Sequence, residues 1–215
     1  MILTEMKDFV KSRIESVENN EINGNLNNTN GILIQFIPEN LIDSSPIDWD
    51  NSQQQNLIKR AFRRLSSLET NYSDSNDQIV GYTPNNEYFI CFKNGIIETY
   101  KHPIETDNSF GESYNYIKVE NLFYVIRDFI DACKIVQDKI YQSIPSYYIF
   151  ISLIGVKGAY FASFDKNYCT TVPFPGKNAR FEPFILNSLT DNIMTEIIDG
   201  IHYGVRATNQ WKPNK

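Results

Sequence analysis

The longest nearly unbroken apolar stretch in the chain is 147–164, YYIFISLIGVKGAYFASF. Its first part, Tyr147 to Ile154, is rich in β-branched and aromatic residues and is broken only by Ser152, the composition of a strand buried on both faces. Gly155, Lys157 and Gly158 then supply a turn, because glycine takes positive φ without a Cβ clash. Residues 159–164 return, with Tyr160, Ala162 and Phe164 on one side. The pattern predicts a central hairpin. The glycine-bracketed loop 155–158 also has the small residues of an anion cradle, but it lacks the Gly-Lys-Ser/Thr that opens the helix of a P-loop. A turn is the simpler reading.

The rest of the chain is organised around that stretch. Leu3, Met6, Phe9, Val10, Ile14 and Val17 recur every three or four positions and predict an amphipathic helix within 1–18. An asparagine-rich loop, 19–30, is expected to be flexible. GILIQFIP at 31–38 reads as a buried strand closed by proline. A second helix is predicted over 52–67, with Leu57, Ile58, Ala61, Phe62 and Leu65 on its apolar side and a cap among 50–52. After a polar loop at 68–78, strands are predicted at 79–82, 87–93 and 95–101. The last two are joined at Asn94-Gly95, which both accept positive φ. A polar loop at 102–111 and a strand at 114–119 lead to the longest helix, 120–143. Its wide apolar face, with Leu122, Phe123, Val125, Ile126, Phe129, Ile130, Cys133, Val136 and Ile140, suits a helix lying across a sheet. Beyond 164 come an edge strand at 169–174, a helical or turn segment at 183–189, a last helix at 190–205 and a frayed tail at 207–215. The pattern predicts an α+β fold. It is read as a single domain over 1–215, with a largely antiparallel sheet packed by the long helix and the terminal helices.

Charge singles out one helix face. The 215 residues carry a formal net charge of −6, which opposes indiscriminate binding to nucleic acid. Within this acidic chain Lys59, Arg60, Arg63 and Arg64 cluster on the polar side of the second helix. Such a face can neutralise phosphates, with Tyr72 and Tyr82 as stacking partners for bases. The alternative is a solvated face paired to acidic side chains. Three widely spaced cysteines, Cys91, Cys133 and Cys169, read as reduced, mostly buried thiols of a cytoplasmic protein. No stretch has the long apolar run of a membrane span, and the first residues lack the apolar core of a secretory signal.

Catalytic signatures are sparse. His202 follows Asp199 by three positions, and His102 stands near Glu105 and Asp107, but no HxxxH, HxH or CxxC supplies ligand spacing. Ser152 and Ser163 lack a nucleophile elbow. The pairs Glu196 with Asp199 and Asp128 with Asp131 read as solvated helix faces. The expectation is a chain with no catalytic, cofactor-binding or metal-binding residues. Its 13 tyrosines fit protein recognition as well as packing.

The order of motifs also carries a resemblance. LIQFIP, then YFICFKNGIIETY, then a long helix, IFISLIGVKGAY and a final helix resemble the region that follows a Schlafen-type Alba-like DNA-binding domain in many bacterial proteins. Those proteins are usually described as helix-turn-helix or ATP-binding proteins. The pieces that carry it are Phe92-Lys93-Asn94-Gly95-Ile96-Ile97-Glu98 and Ser152-Leu153-Ile154-Gly155-Val156-Lys157-Gly158, with the opening helix from Lys7 to Val17. These are turns and strands, so no functional residue transfers. The Alba-like domain is absent, and the helix bearing Lys59, Arg60, Arg63 and Arg64 is a departure from the pattern. The resemblance implies a bacterial cytoplasmic accessory module with a role in defence or regulation. It would dock onto a partner protein or onto an N-terminal Alba-like domain, with DNA or RNA as the alternative partner and nuclease activity as a more distant one.

Overall fold

Two strands, buried at every position but Tyr148, form the centre of the molecule. β1 (Gly31–Pro38) and β8 (Tyr147–Ile154) pair antiparallel from Gly31 opposite Ile154 to Pro38 opposite Tyr147. The computed structural model describes residues 3–19, 21, 30–39, 48, 50–63, 65, 71–74, 78–83, 87–102, 104–107, 114–140, 146–162, 174, 176–181 and 183–186. The expected last helix at 190–205, the tail at 207–215, most of the loop at 19–30 and all of the expected strand at 169–174 except Phe174 lie outside them.

From β1 the sheet grows through β5 (Ile97–Lys101), β4 (Tyr88–Phe92), β3 (Gln78–Tyr82) and β2 (Asn71–Asp74). On the other side of β8 it is closed by β10 (Ala179–Arg180) and β11 (Phe184–Leu186). Every pairing in this sheet is antiparallel. A second, smaller sheet joins β6 (Ile104–Asp107), β7 (Tyr114–Lys118) and β9 (Tyr160–Ala162). The helices are α1 (Leu3–Glu18), α2 (Ser52–Arg63) and α3 (Val119–Ile140). The fold is α+β with a largely antiparallel sheet.

Strand alternation sends successive side chains to opposite faces. Leu33 and Ile37 of β1, Phe150 and Ile154 of β8, and Tyr88 and Ile90 of β4 meet Met6, Val10, Ile14 and Val17 of α1. The intervening residues, among them Ile32, Ile34, Phe36, Ile149, Ile151 and Phe89, pack with Phe62 of α2 and with Ile126, Phe129 and Cys133 of α3. The large sheet is therefore covered by α1 on one face and by α2 and α3 on the other.

The hairpin expected across Gly155 does not form. β8 has β1 on one edge and β10 and β11 on the other, while β9 leaves to pair in parallel with β7, Tyr116 opposite Tyr160. The loop donors show why. Val156 N donates to Lys177 O at 2.8 Å, Gly158 N to Phe174 O at 2.7 Å and Ala159 N to Val156 O at 3.1 Å. Gly155 N donates to Asn178 Oδ1 at 3.0 Å. The chain turns against 174–178 rather than back along β8, using positive φ at Gly155 and Gly158. With these donors taken, the anion-cradle reading of the loop falls away.

The other tight turn is as expected. Phe92 N donates to Ile96 O and Gly95 N to Phe92 O, both at 2.9 Å, with Gly95 at φ 85°. Four short strands were not expected. β2 lies in the predicted polar loop 68–78, β6 in the loop 102–111, β10 between the expected edge strand 169–174 and the segment 183–189, and β11 in that segment, predicted as helix or turn.

Candidate functional site

The second helix begins where Asn51 Oδ1 accepts from Gln53 N at 3.0 Å and Gln54 N at 3.3 Å, an N-cap that satisfies two otherwise orphaned donors. Ile58, Ala61 and Phe62 are buried. Phe62 stacks on Phe89 at 4.0 Å between ring centroids, inclined by 15°. Phe89 in turn covers Gly81, its partner on β3. That anchoring turns the polar face outward, with Arg60 and Arg63 exposed and Lys59 half-buried. The structure thus brings three of the four expected cations onto one helix face, and Arg64 lies outside the described residues. Tyr82 does not join them. It packs with the α1-side core, on the opposite face of the sheet from α2. The side chain of Tyr72 is outside the described residues.

α2 packs on α3, and α3 carries the most open aromatic surface among the described residues. Its buried stripe runs through Leu122, Ile126, Phe129 and Ile130. Rotated away from that stripe, Phe123 is 37% and Tyr124 52% exposed. The two rings meet edge-on at 6.2 Å, and the Arg127 guanidinium lies 5.1 Å from the centre of the Tyr124 ring. Arg127 also donates to Asp128 Oδ1 through Nε at 3.1 Å and Nη2 at 2.9 Å. Hydrogen bonding to Asp128 raises the Arg127 pKa above its ordinary value, and the Asp128 carboxylate balances the guanidinium charge beside the exposed ring.

Under α1 lies a polar cluster that no sequence motif announced. Glu98 of β5 is fully buried. It accepts from Arg13 Nη2 at 2.7 Å, from Arg13 Nε at 3.0 Å, from Gln35 Nε2 at 2.8 Å and from the Tyr88 hydroxyl at 2.9 Å. Burial works against the Arg13 charge, but the hydrogen bonds and charge of Glu98 outweigh it and hold the guanidinium above its ordinary pKa. Burial, then the charge of Glu98, pushes the Tyr88 hydroxyl well up. Each Glu98 oxygen accepts at least two donors, which makes the cluster a clamp between α1 and the sheet rather than a reactive centre.

The remaining nucleophiles and bases are dispersed. His102 Nδ1 is 2.8 Å from Asn30 O, an arrangement in which Nδ1 donates, and its ring meets Tyr100 edge-on at 5.0 Å. Nε2 is buried without a hydrogen-bond partner. The side chains of Glu105 and Asp107 and the whole of Asp199, His202 and Cys169 lie outside the described residues. Cys91 and Cys133 are free, buried thiols. Burial raises both thiol pKa values, so neither supplies a thiolate near neutral pH. Among the described residues no three His, Cys, Asp or Glu side chains converge to hold a metal ion, and no helix is long and apolar enough to cross a membrane. No protein-family model, curated protein or solved structure matches the chain.

Proposed function

We infer that the chain is an interaction module that docks onto a partner protein through the ridge of Phe123, Tyr124 and Arg127 on α3. The observation that carries this reading is Tyr124. A large ring is half open to solvent yet braced by Phe123 on one side and Arg127 on the other. Aromatic side chains and arginine are prominent in binding energy when a partner covers them, the rings because they bury much area with few rotatable bonds and the guanidinium because it offers a planar fork of donors. Asp128 and the more exposed Asp131 supply a polar rim on the same helix. The likeness of the turn and strand motifs to an accessory region of Schlafen-type proteins supports the same role.

The test is affinity capture from a host lysate on the immobilised chain, run beside a Phe123→Ser/Tyr124→Ser variant. The captured protein is then purified and titrated by calorimetry. The reading expects direct binding that the double variant weakens by about 2 kcal/mol or more. Equal binding by the variant and the unaltered chain would remove the ridge as the docking site.

A second reading, binding of DNA or RNA, rests on Arg60 and Arg63 standing exposed beside Lys59 on α2. It predicts affinity for labelled DNA or RNA that falls steeply with salt. Arg60→Glu/Arg63→Glu should abolish that affinity while leaving partner capture through α3 intact.

A further inference from the structure

Arg127 and Asp131 both stand exposed on α3, with Tyr124 one turn before them and Lys134, half-buried, one turn after. The four follow a spacing of three, four and three, the seam spacing of a helix that packs along another helix. Their side of α3 is the one away from the buried stripe of Leu122, Ile126, Phe129 and Cys133. Tyr124 and Arg127 belong to the ridge, and Asp131 and Lys134 extend it toward the C-terminal end of the helix.

The chemistry of this seam is self-complementary. In an antiparallel pair of helices related by a two-fold axis, each residue meets the one equally far beyond the axis on the other copy. An axis level with Phe129 sets Arg127 against Asp131 of the second copy and Tyr124 against Lys134 of the second copy. Each contact then occurs twice. One joins a guanidinium to a carboxylate, the other an ammonium to an open ring. A parallel arrangement would set each residue against itself, arginine on arginine and aspartate on aspartate. One layer further out, Glu120 falls opposite Asp138, and these like charges confine the contact to the central stretch. The contacts within the helix leave room for the exchange. Arg127 reaches Asp128 through Nε and Nη2, so that contact does not use Nη1. Asp131 Oδ1 is 4.0 Å from Lys134 Nζ, beyond hydrogen-bonding distance. Solvated pairs of this kind contribute little to stability, so replacing them across an interface costs little.

We propose that the ridge docks onto a second copy of this chain, the two α3 helices lying antiparallel through Tyr124, Arg127, Asp131 and Lys134. This rests on the reading of the ridge as a docking surface and names its occupant. The seam is about 15 Å long, which makes a small interface, and a dissociation constant of about 10–100 μM is expected.

The experiment is sedimentation equilibrium of the full chain from micromolar to millimolar concentration, with circular dichroism as the check on folding. The unaltered chain should pass from monomer to dimer. Arg127→Asp and Asp131→Arg each place like charges at both contacts and should each weaken the dimer by about tenfold or more. Mixing the two single variants sets every aspartate against an arginine and should recover most of the lost affinity, as should Arg127→Asp/Asp131→Arg alone. Tyr124→Ser should weaken the dimer by about tenfold as well. A monomer at every concentration, a dimer indifferent to the charge reversals, or a mixture no tighter than its parts would overturn the proposal. Those results leave the ridge open to a different protein, which capture with Phe123→Ser/Tyr124→Ser decides separately. Failure of the ridge reading looks different, with both dimer and capture unchanged by the loss of Tyr124.

Discussion

Arg13 and Glu98, 85 positions apart in the chain, close a two-point ion pair with Nε to Oε2 at 3.0 Å and Nη2 to Oε1 at 2.7 Å. Glu98 is wholly buried and the Arg13 side chain is 17% exposed. A pair this deep has already given up most of its hydration, so removing one member leaves the other charge stranded. Glu98→Leu and Arg13→Met should each cost about 3–5 kcal/mol. Arg13→Met/Glu98→Leu should cost clearly less than the two single changes together, because no uncompensated charge remains. Urea unfolding of the four proteins checks this, and additive losses would show that the pair is not coupled.

Gly31 and Gly158 separate two reasons for glycine. A Cβ on Gly31 would run into the Lys101 carbonyl oxygen and the Tyr100 ring. A Cβ on Gly158 meets nothing within 4 Å, but its φ is +82°. Gly31→Ala is expected to destabilise by about 1–3 kcal/mol through overpacking, and Gly31→Ser should be no better. Gly158→Ala should cost about 1–2 kcal/mol through backbone strain alone, and Gly158→Asn should recover much of it, since asparagine tolerates the left-handed region. Thermal unfolding of the four variants distinguishes the two mechanisms.

What the sequence made legible follows from how locally each feature is encoded. β1 and β8 are buried on both faces, so each appears as a continuous apolar run. The Asn94-Gly95 turn is written in two residues. The pairing of β9 with β7 is not local, and no pattern within 147–164 distinguishes it from a hairpin with β8. β2 and β6 are short and polar (NYSD and IETD), and β11 has only three residues, so none has room for a periodic signal. The Glu98 clamp did leave a trace. Gln35 interrupts a strand otherwise free of polar side chains, and Arg13 sits three and four positions from Val10 and Val17 on the apolar stripe of α1. A polar residue among buried apolar positions requires a partner, and here both donate to Glu98. The basic face of α2 was readable from spacing. The braced Phe123–Tyr124–Arg127 ridge was not, because Phe123 belongs to the same apolar periodicity as the buried stripe.

Alkaline pH should unfold the protein cooperatively. Burial raises the hydroxyl pKa of Tyr88, Tyr100 and Tyr147 above the ordinary value of about 10. A group whose folded pKa is raised adds stability that is complete below its unfolded pKa and is lost as pH climbs toward the folded value. Stability should therefore hold to about pH 10 and then decline. Tyrosinate absorbance should show a step that coincides with loss of secondary structure and disappears in denaturant. Smooth ionisation of all tyrosines with the fold intact would mean that these three rings are accessible.

Acid pH should loosen the far end of α1. Glu18 Oε1 accepts from Lys177 Nζ at 2.9 Å and from Asn178 Nδ2 at 2.9 Å, and Asn178 Oδ1 accepts from Gly155 N at 3.0 Å. The helix end is thereby tied to the turn that leaves β8. The Lys177 hydrogen bond, against the opposing effect of burial and with help from Asn178, lowers the Glu18 pKa. A depressed carboxylate contributes stability that is present above its unfolded pKa and lost as pH falls through the folded one. Lys177 is largely solvated, so the ion pair is weak, and Glu18→Gln should cost about 0.5 kcal/mol near neutral pH. Asn178→Ala should cost more, about 1–2 kcal/mol, because it also strips the acceptor from Gly155 N. The gap between Glu18→Gln and the unaltered chain should close as pH falls through the folded Glu18 pKa, while the gap for Asn178→Ala should persist, since the Gly155 bond does not titrate. Unfolding curves at several acid pH values would show the two gaps diverging. Parallel behaviour would place the tie in packing rather than in the carboxylate.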